Sequence, residues 1–163
     1  MALTQSQVRE MFSYDPETGL LTWVSGYRGV QVGRTAGALT ARGYIGVIVH
    51  GKKYQAHRLI WLYVHGHFPP KWQDIDHANQ IKHDNRLSNL RLSSRSQNQA
   101  NVNMYSSNTT GYKGVSWHKQ REKFRASIRH NYKSIHLGVF DTAEEASDAY
   151  KAAAQKIYGE FAA

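Results

Sequence analysis

The chain has 163 residues, with 21 Lys and Arg against 12 Asp and Glu, a formal net charge of +9 and no cysteine. The length suits one or two domains, and 40% hydrophobic with 12% aromatic residues excludes global disorder. The missing cysteines exclude a disulfide scaffold, a thiol nucleophile and any thiolate-bound zinc. The positive excess points first to a polyanion, with nucleic acid ahead of a membrane surface. No basic and then apolar leader follows Met1, and no apolar run approaches the roughly 20 residues that cross a bilayer. A soluble, intracellular protein is expected.

In chain order, Thr4 and Gln7 form a capping box for a short helix ending near Phe12, with Leu3, Val8, Met11 and Phe12 as its apolar face. Tyr14 to Gly19 carries Pro16 and Gly19 at turn positions, and Leu20 to Trp23 reads as a strand. A glycine-rich stretch (Gly26, Gly29, Gly33, Gly37) predicts a flexible loop. Residues 43–49 and 54–57 predict a hairpin around Gly51, and Arg58 to His65 a helix stopped by Gly66. Residues 99–111 are rich in Asn and Ser and read as a linker.

Charge is distributed unevenly. Residues 112–140 hold seven basic side chains and one acidic one, whereas residues 141–163 hold two basic and five acidic. The last third therefore contains a basic part followed by an acidic part.

Between Asp74 and Asn98 the sequence concentrates Asp, His, Asn and Arg among few apolar residues, so it reads as a loop-rich segment. A hard divalent cation takes oxygen ligands, which an Asp carboxylate and an Asn carbonyl supply. A neutral imidazole can take a proton from water near neutral pH. Ordinary turn Asn and Asp with a surface histidine is the plainer alternative. The order and spacing of Ala56-His-Arg-Leu59, Asp76-His77, Asp84-Asn85-Arg-Leu-Ser-Asn89-Leu-Arg91 and Asn98 resemble the HNH nucleases, in particular the phage and intron-encoded homing endonucleases, over roughly residues 44–102.

The resemblance implies a ββα-metal fold with His77 as general base and Asn89 tethering the loop and orienting it. It also implies Asp76 and Asn98 as ligands of one divalent ion, Mg²⁺ or alternatively Mn²⁺. Asn98 stands where the family's last His is usual, which favours a hard ion over zinc. No structural zinc is expected, because the Cys pairs that hold it in other members are absent. The family's products are a 5′-phosphate and a 3′-hydroxyl. Arg58 is a candidate phosphate contact, a solvated helix-start residue being the alternative. His57 reads as structural and His83 as a loop residue.

Residues 111–117, 123–129 and 133–140 predict three short antiparallel strands. In the middle one Phe124, Ala126 and Ile128 alternate with Arg125, Ser127 and Arg129. A Thr142/Glu145 capping box opens a helix whose stripe is 143, 146, 150, 153 and 157. A sheet covered on one face and basic on the other suits a DNA groove, an ordinary solvated face being the equal alternative on alternation alone. Tyr112-Lys-Gly-Val115, Phe124 to Arg129, His136 to Ala146 and Ala149 to Ala153 resemble an AP2/ERF-type DNA-binding domain. That resemblance implies DNA contacts at Lys113, Ser116, Arg121, Ser127, Arg129, Ser134 and His136. Alternation adds Arg125.

The expectation is an α+β chain in three parts. Residues 1–98 form an HNH nuclease domain, 99–110 a polar linker, and 111–163 an AP2-like sheet packed on one helix. The expected function is a site-specific homing or free-standing phage DNA endonuclease that nicks or cuts double-stranded DNA in the cytoplasm of a bacterial host. One active site per chain favours a monomer. The alternative is a sequence-specific DNA-binding regulator with an inactive HNH domain.

Overall fold

The computed structural model describes residues 3–26, 29–102, 104 and 107–162. Parts of the expected glycine-rich loop (27, 28) and linker (103, 105, 106), together with residues 1, 2 and 163, lie outside the described residues. The chain combines helices with antiparallel strands and divides into two compact units, residues 1–92 and 93–163. The division precedes the sequence-drawn boundary at 98 by six residues.

In the first unit, helix α1 (Gln5–Met11) starts at the expected Thr4/Gln7 capping box. It stops one residue short of the expected end, because Phe12 is extended and begins strand β1 (Phe12–Asp15). β1 pairs antiparallel with β2 (Leu20–Trp23), so Tyr14 and Asp15, read as part of a turn, are strand. The β1–β2 turn is closed by Asp15, whose carboxylate accepts from the Glu17 amide and the Thr18 hydroxyl at 2.9 and 2.8 Å. The described part of the glycine-rich stretch is not a free loop. Backbone bonds tie Gly33, Arg34 and Ala36 to Trp23 and Leu21.

Strands β3 (Ala38–Leu39), β4 (Ile45–Val49) and β5 (Lys52–Gln55) form an antiparallel sheet in the order β3-β4-β5. The β4–β5 turn falls at Gly51, as expected. Helix α2 (Ala56–His65) begins two residues earlier than read and ends on left-handed Gly66. Ala56 and His57 are therefore first-turn helix, not strand. The apolar face of α2 buries Leu59, Ile60 and Leu62 with Val8, Phe12, Val47 and Val49. Each such Leu or Ile contributes about 1.5–3 kcal/mol. Gln5 Nε2 and Arg9 Nε both donate to the Tyr63 carbonyl and join α1 to α2.

Residues 74–98 are more ordered than the loop-rich reading. Strand β6 (Gln73–His77) pairs with β7 (Leu90–Ser94), and helix α3 (Arg95–Ala100) follows under a Ser94/Gln97 capping box. The strand–strand–helix order agrees with the ββα arrangement that the HNH resemblance implied. The strands show no alternating apolar row, because beside Ile75 and Leu90 they bury Asp76, His77 and Ser93.

In the second unit, β8 (Val115–His118), β9 (Lys123–His130) and β10 (Lys133–Phe140) form an antiparallel sheet in the order β10-β9-β8. β8 starts four residues later than expected, after left-handed Gly111 and Gly114. Helix α4 (Ala143–Tyr158) has the expected Thr142/Glu145 capping box and covers one sheet face. Its buried row is 146, 150, 154 and 158 with Ser147. The expected 153 and 157 are half-buried beside it. An i, i+4 row ending on Tyr158, whose hydroxyl donates to the Arg129 carbonyl, sets that face. Among the described residues no helix is long and apolar enough to cross a membrane.

Candidate active site

β6 delivers Asp76 and His77 side by side at its C-terminal end, and both are buried. Buried polar groups need partners. Asp76 Oδ2 accepts from Arg91 Nε on the paired strand at 3.0 Å. His77 Nε2 lies 3.1 Å from Asn85 Oδ1. With an amide oxygen as acceptor, Nε2 carries the proton and the basic lone pair falls on Nδ1. Burial lowers the His77 pKa, against the Asn85 hydrogen bond and the nearby Asp76 and Asp84 charges, which raise it. The ring is thus disposed to be neutral and able to accept a proton.

The loop between β6 and β7 is closed by Asn89. Its Oδ1 accepts from the Asn79 amide at 2.9 Å, its Nδ2 donates to the Asp84 carbonyl at 2.8 Å, and its carbonyl accepts from the Ala78 amide at 2.9 Å. Asn89 therefore ties the residues that flank His77 and Asn85. A direct partner of the His77 ring is Asn85, which has no role in the sequence reading. Asp84 adds a second clasp, accepting from Asn79 Nδ2 and from both Arg86 Nε and NH2. The Arg86 guanidinium holds its carboxyl well below the usual carboxylate range.

The first hairpin supports this loop from below. Tyr14 Oη donates to the Asn85 carbonyl at 2.9 Å. Gly19, at φ +73°, lies so close that a Cβ there would stand 2.6 Å from the Asn85 carbonyl carbon.

His57 and Tyr44 complete the wall. The His57 ring meets the His77 ring edge-on at 5.0 Å between centroids, and Tyr44 lies 5.4 Å from His57 and 6.0 Å from His77. The structural reading of His57 thus gains a specific neighbour, the His77 ring. His57 is only 5% exposed, and burial, followed by the His77 and Arg58 charges, pushes its pKa from 6.5 to about 3.

Acid should consequently weaken this unit. The unfolded chain protonates His57 first, so its contribution is whole above pH 6.5. That contribution falls by roughly 1.4 kcal/mol per pH unit below 6.5 and levels near pH 3. Urea midpoints measured from pH 7 to 5 should show that decline, and His57→Phe, which keeps the ring packing, should reduce the slope.

Of the other sequence-predicted positions, the Arg58 guanidinium stacks over the Phe68 ring at 5.7 Å. Asn98 is half-buried on α3, in the second unit. On the sheet, the register sets Ser116 opposite Arg125, Ser127 opposite His136 and Arg129 opposite Ser134. Directly opposed residues share a face, so these six form one surface away from α4. Arg125 NH2 donates to Ser116 Oγ at 3.3 Å. Arg121 is exposed in the β8–β9 turn. The half-buried Lys113 ammonium donates to the Ala100 carbonyl at the end of α3 and to the Val102 carbonyl just past it, and burial lowers its pKa.

Asp76 and Asn98 are hard oxygen donors, while no group of three or more His, Cys, Asp or Glu able to hold a metal occurs among the described residues. Each is a donor type that a hard ion such as Mg²⁺ accepts; Asp76 belongs to the first unit and Asn98 to the second.

Comparison with known proteins matches two successive segments, the first of which crosses the boundary between the two units. The HNH endonuclease family model matches residues 54–100 and the AP2 domain model residues 110–160. Protein 3.8 of Escherichia phage T7 is 32% identical over 111 residues, covering 68% of this chain and 90% of that protein. The uncharacterized HNH endonuclease L560 of Acanthamoeba polyphaga mimivirus is 34% identical over 112 residues, 68% of this chain but only 57% of its own length. Among solved structures, the HNH homing endonuclease I-HmuI aligns with a TM-score of 0.42 at 19% identity, covering 84% of this chain and 75% of that one. The chain belongs to the HNH endonuclease family and carries an AP2 domain after its nuclease segment.

Proposed function

We propose that the protein is a site-specific DNA endonuclease of the homing or free-standing phage type, in which residues 1–98 cut, 99–110 link and 111–163 read double-stranded DNA. One observation carries the reading. A buried Asp-His pair ends β6, with the imidazole held through Nε2 by Asn85 and kept toward its neutral form by burial. A histidine so placed is a general base and needs a substrate with an attackable centre. The net charge of +9 and the basic sheet face favour a phosphodiester.

In this mechanism His77 Nδ1 takes a proton from water as the water oxygen bonds to phosphorus. The bond from phosphorus to the 3′ oxygen breaks, and the departing alkoxide takes a proton from solvent, leaving a 5′-phosphate and a 3′-hydroxyl. A divalent ion held by Asp76 and Asn98 would supply charge neutralisation at the phosphate and the departing oxygen. Arg91 keeps the Asp76 carboxylate in one orientation. Asn89 and Asn85 keep His77 in one tautomer. Arg58, stacked on Phe68, remains a phosphate-contact candidate.

The similarity to a phage T7 protein supports action in the bacterial cytoplasm. One such site per chain suits a monomer that nicks one strand.

The test is supercoiled plasmid carrying a site selected by the protein, incubated with Mg²⁺, with Mn²⁺ or with EDTA. Nicked or linear DNA should appear with the metal ions and not with EDTA. Tight binding without cleavage under every condition would instead identify a DNA-binding regulator.

A further inference from the structure

β9 and β10 are joined by only two residues, Asn131 and Tyr132, because His130 pairs with Lys133. Their φ angles are +48° and +65°. Two left-handed residues in a two-residue hairpin loop make a type I′ turn, whose favoured sequence is Asn-Gly. Asn131 fits its place. Tyr132 occupies the place of the glycine, where a side chain costs the folding equilibrium several-fold.

That cost brings no packing in return, since Tyr132 is 73% exposed. Its surroundings are basic. Arg129 and Ser134 form the first cross-strand pair of the candidate DNA face beyond the turn, and His130 and Lys133 flank the loop. No acidic residue occurs between Glu122 and Asp141. Strain retained at an exposed residue directs attention to function. An aromatic ring among cations suits a nucleotide, whose phosphate the cations attract and whose base or sugar offers the ring a flat apolar surface.

We propose that Tyr132 is a DNA contact at the tip of the β9–β10 hairpin, its ring packing on a base or deoxyribose at one end of the segment covered by the sheet. The inference deepens the reading of β8–β10 as the DNA-binding face and rests on it.

The experiment uses the full chain with EDTA present to prevent cleavage, and as probe the duplex recovered by selection from random DNA with the wild-type protein. Tyr132→Gly should raise the unfolding midpoint by several degrees, because it restores the preferred turn. It should also weaken binding by about 5- to 100-fold, the range of an aromatic–base contact. Tyr132→Phe should bind as wild type. Arg129→Ala serves as the control for the sheet. Wild-type affinity in Tyr132→Gly with weakened binding in Arg129→Ala overturns the Tyr132 proposal alone. Wild-type affinity in both overturns the sheet reading as well. A lowered unfolding midpoint in Tyr132→Gly also overturns the proposal, because the ring would then be serving the fold.

Discussion

Replacing His77 by alanine should slow DNA cleavage by about 10²- to 10⁴-fold, the usual worth of a positioned general base, while DNA affinity stays near the wild-type value. The ring is 4% exposed, its Nε2 is committed to Asn85, and Tyr44 and His57 limit its motion. Alanine removes the base and leaves the sheet of the second unit untouched. Single-turnover cleavage at saturating protein, paired with binding in EDTA, separates the two effects. His77→Gln guards against a folding artefact, since it keeps a side chain that can still hydrogen-bond. Cleavage at the wild-type rate in both variants would remove His77 from the mechanism. His57 does not offer a substitute, because burial holds its pKa near 3 and makes it a very weak base.

Replacing Gly114 by alanine should lower the thermal midpoint of the second unit by roughly 15 °C. Gly114 has φ +72°, and a Cβ there would run into the Tyr150 ring and stand 2.7 Å from the Ser127 carbonyl oxygen. The left-handed backbone costs about 1–2 kcal/mol, and forcing a methyl into packed surroundings about 1–3 kcal/mol. Ser127 cannot step aside, because its amide donates to the Gly114 carbonyl at 2.9 Å. The same approach brings α4 down on β8 and β9. Calorimetry measures the shift, and an unchanged midpoint would mean that the helix and sheet are not packed as described. In the Tyr112-Lys-Gly-Val115 segment, the glycine therefore serves close approach of elements rather than DNA contact.

How much could be read beforehand depended on how local the signal was. Both expected capping boxes, at Thr4/Gln7 and Thr142/Glu145, involve residues three apart, and both form. β9 announces itself because its buried residues are apolar and alternate, with Ala126 and Ile128 inward and Arg125 and Arg129 outward. β6 and β7 give no such sign, since each buries a single apolar residue, Ile75 or Leu90, beside the polar Asp76, His77 and Ser93. α3 was legible only through Ser94 and Gln97, a capping-box pair that stood unread inside a polar run.

The candidate site divides in the same way. Asp76 and His77 stand out by adjacency, but Asn85, Arg91, His57 and Tyr44 reach them across turns and strands, where spacing along the chain carries no contact information. Lys113 shows the converse. It matches a DNA-contact position by resemblance, yet its ammonium is spent on the carbonyls of Ala100 and Val102.

The prop beneath the Asn85 loop bears on how portable the nuclease is. The segment that matches the HNH model starts at residue 54, but Tyr14 holds the Asn85 carbonyl and Gly19 sits against the same backbone. The histidine's partner is thus supported from a hairpin some 40 residues ahead of the recognisable motif. A gene rearrangement that carried off the motif alone would leave its loop without a floor. In this chain the hairpin and the motif are packed as one piece, although the hairpin lies ahead of the matched segment.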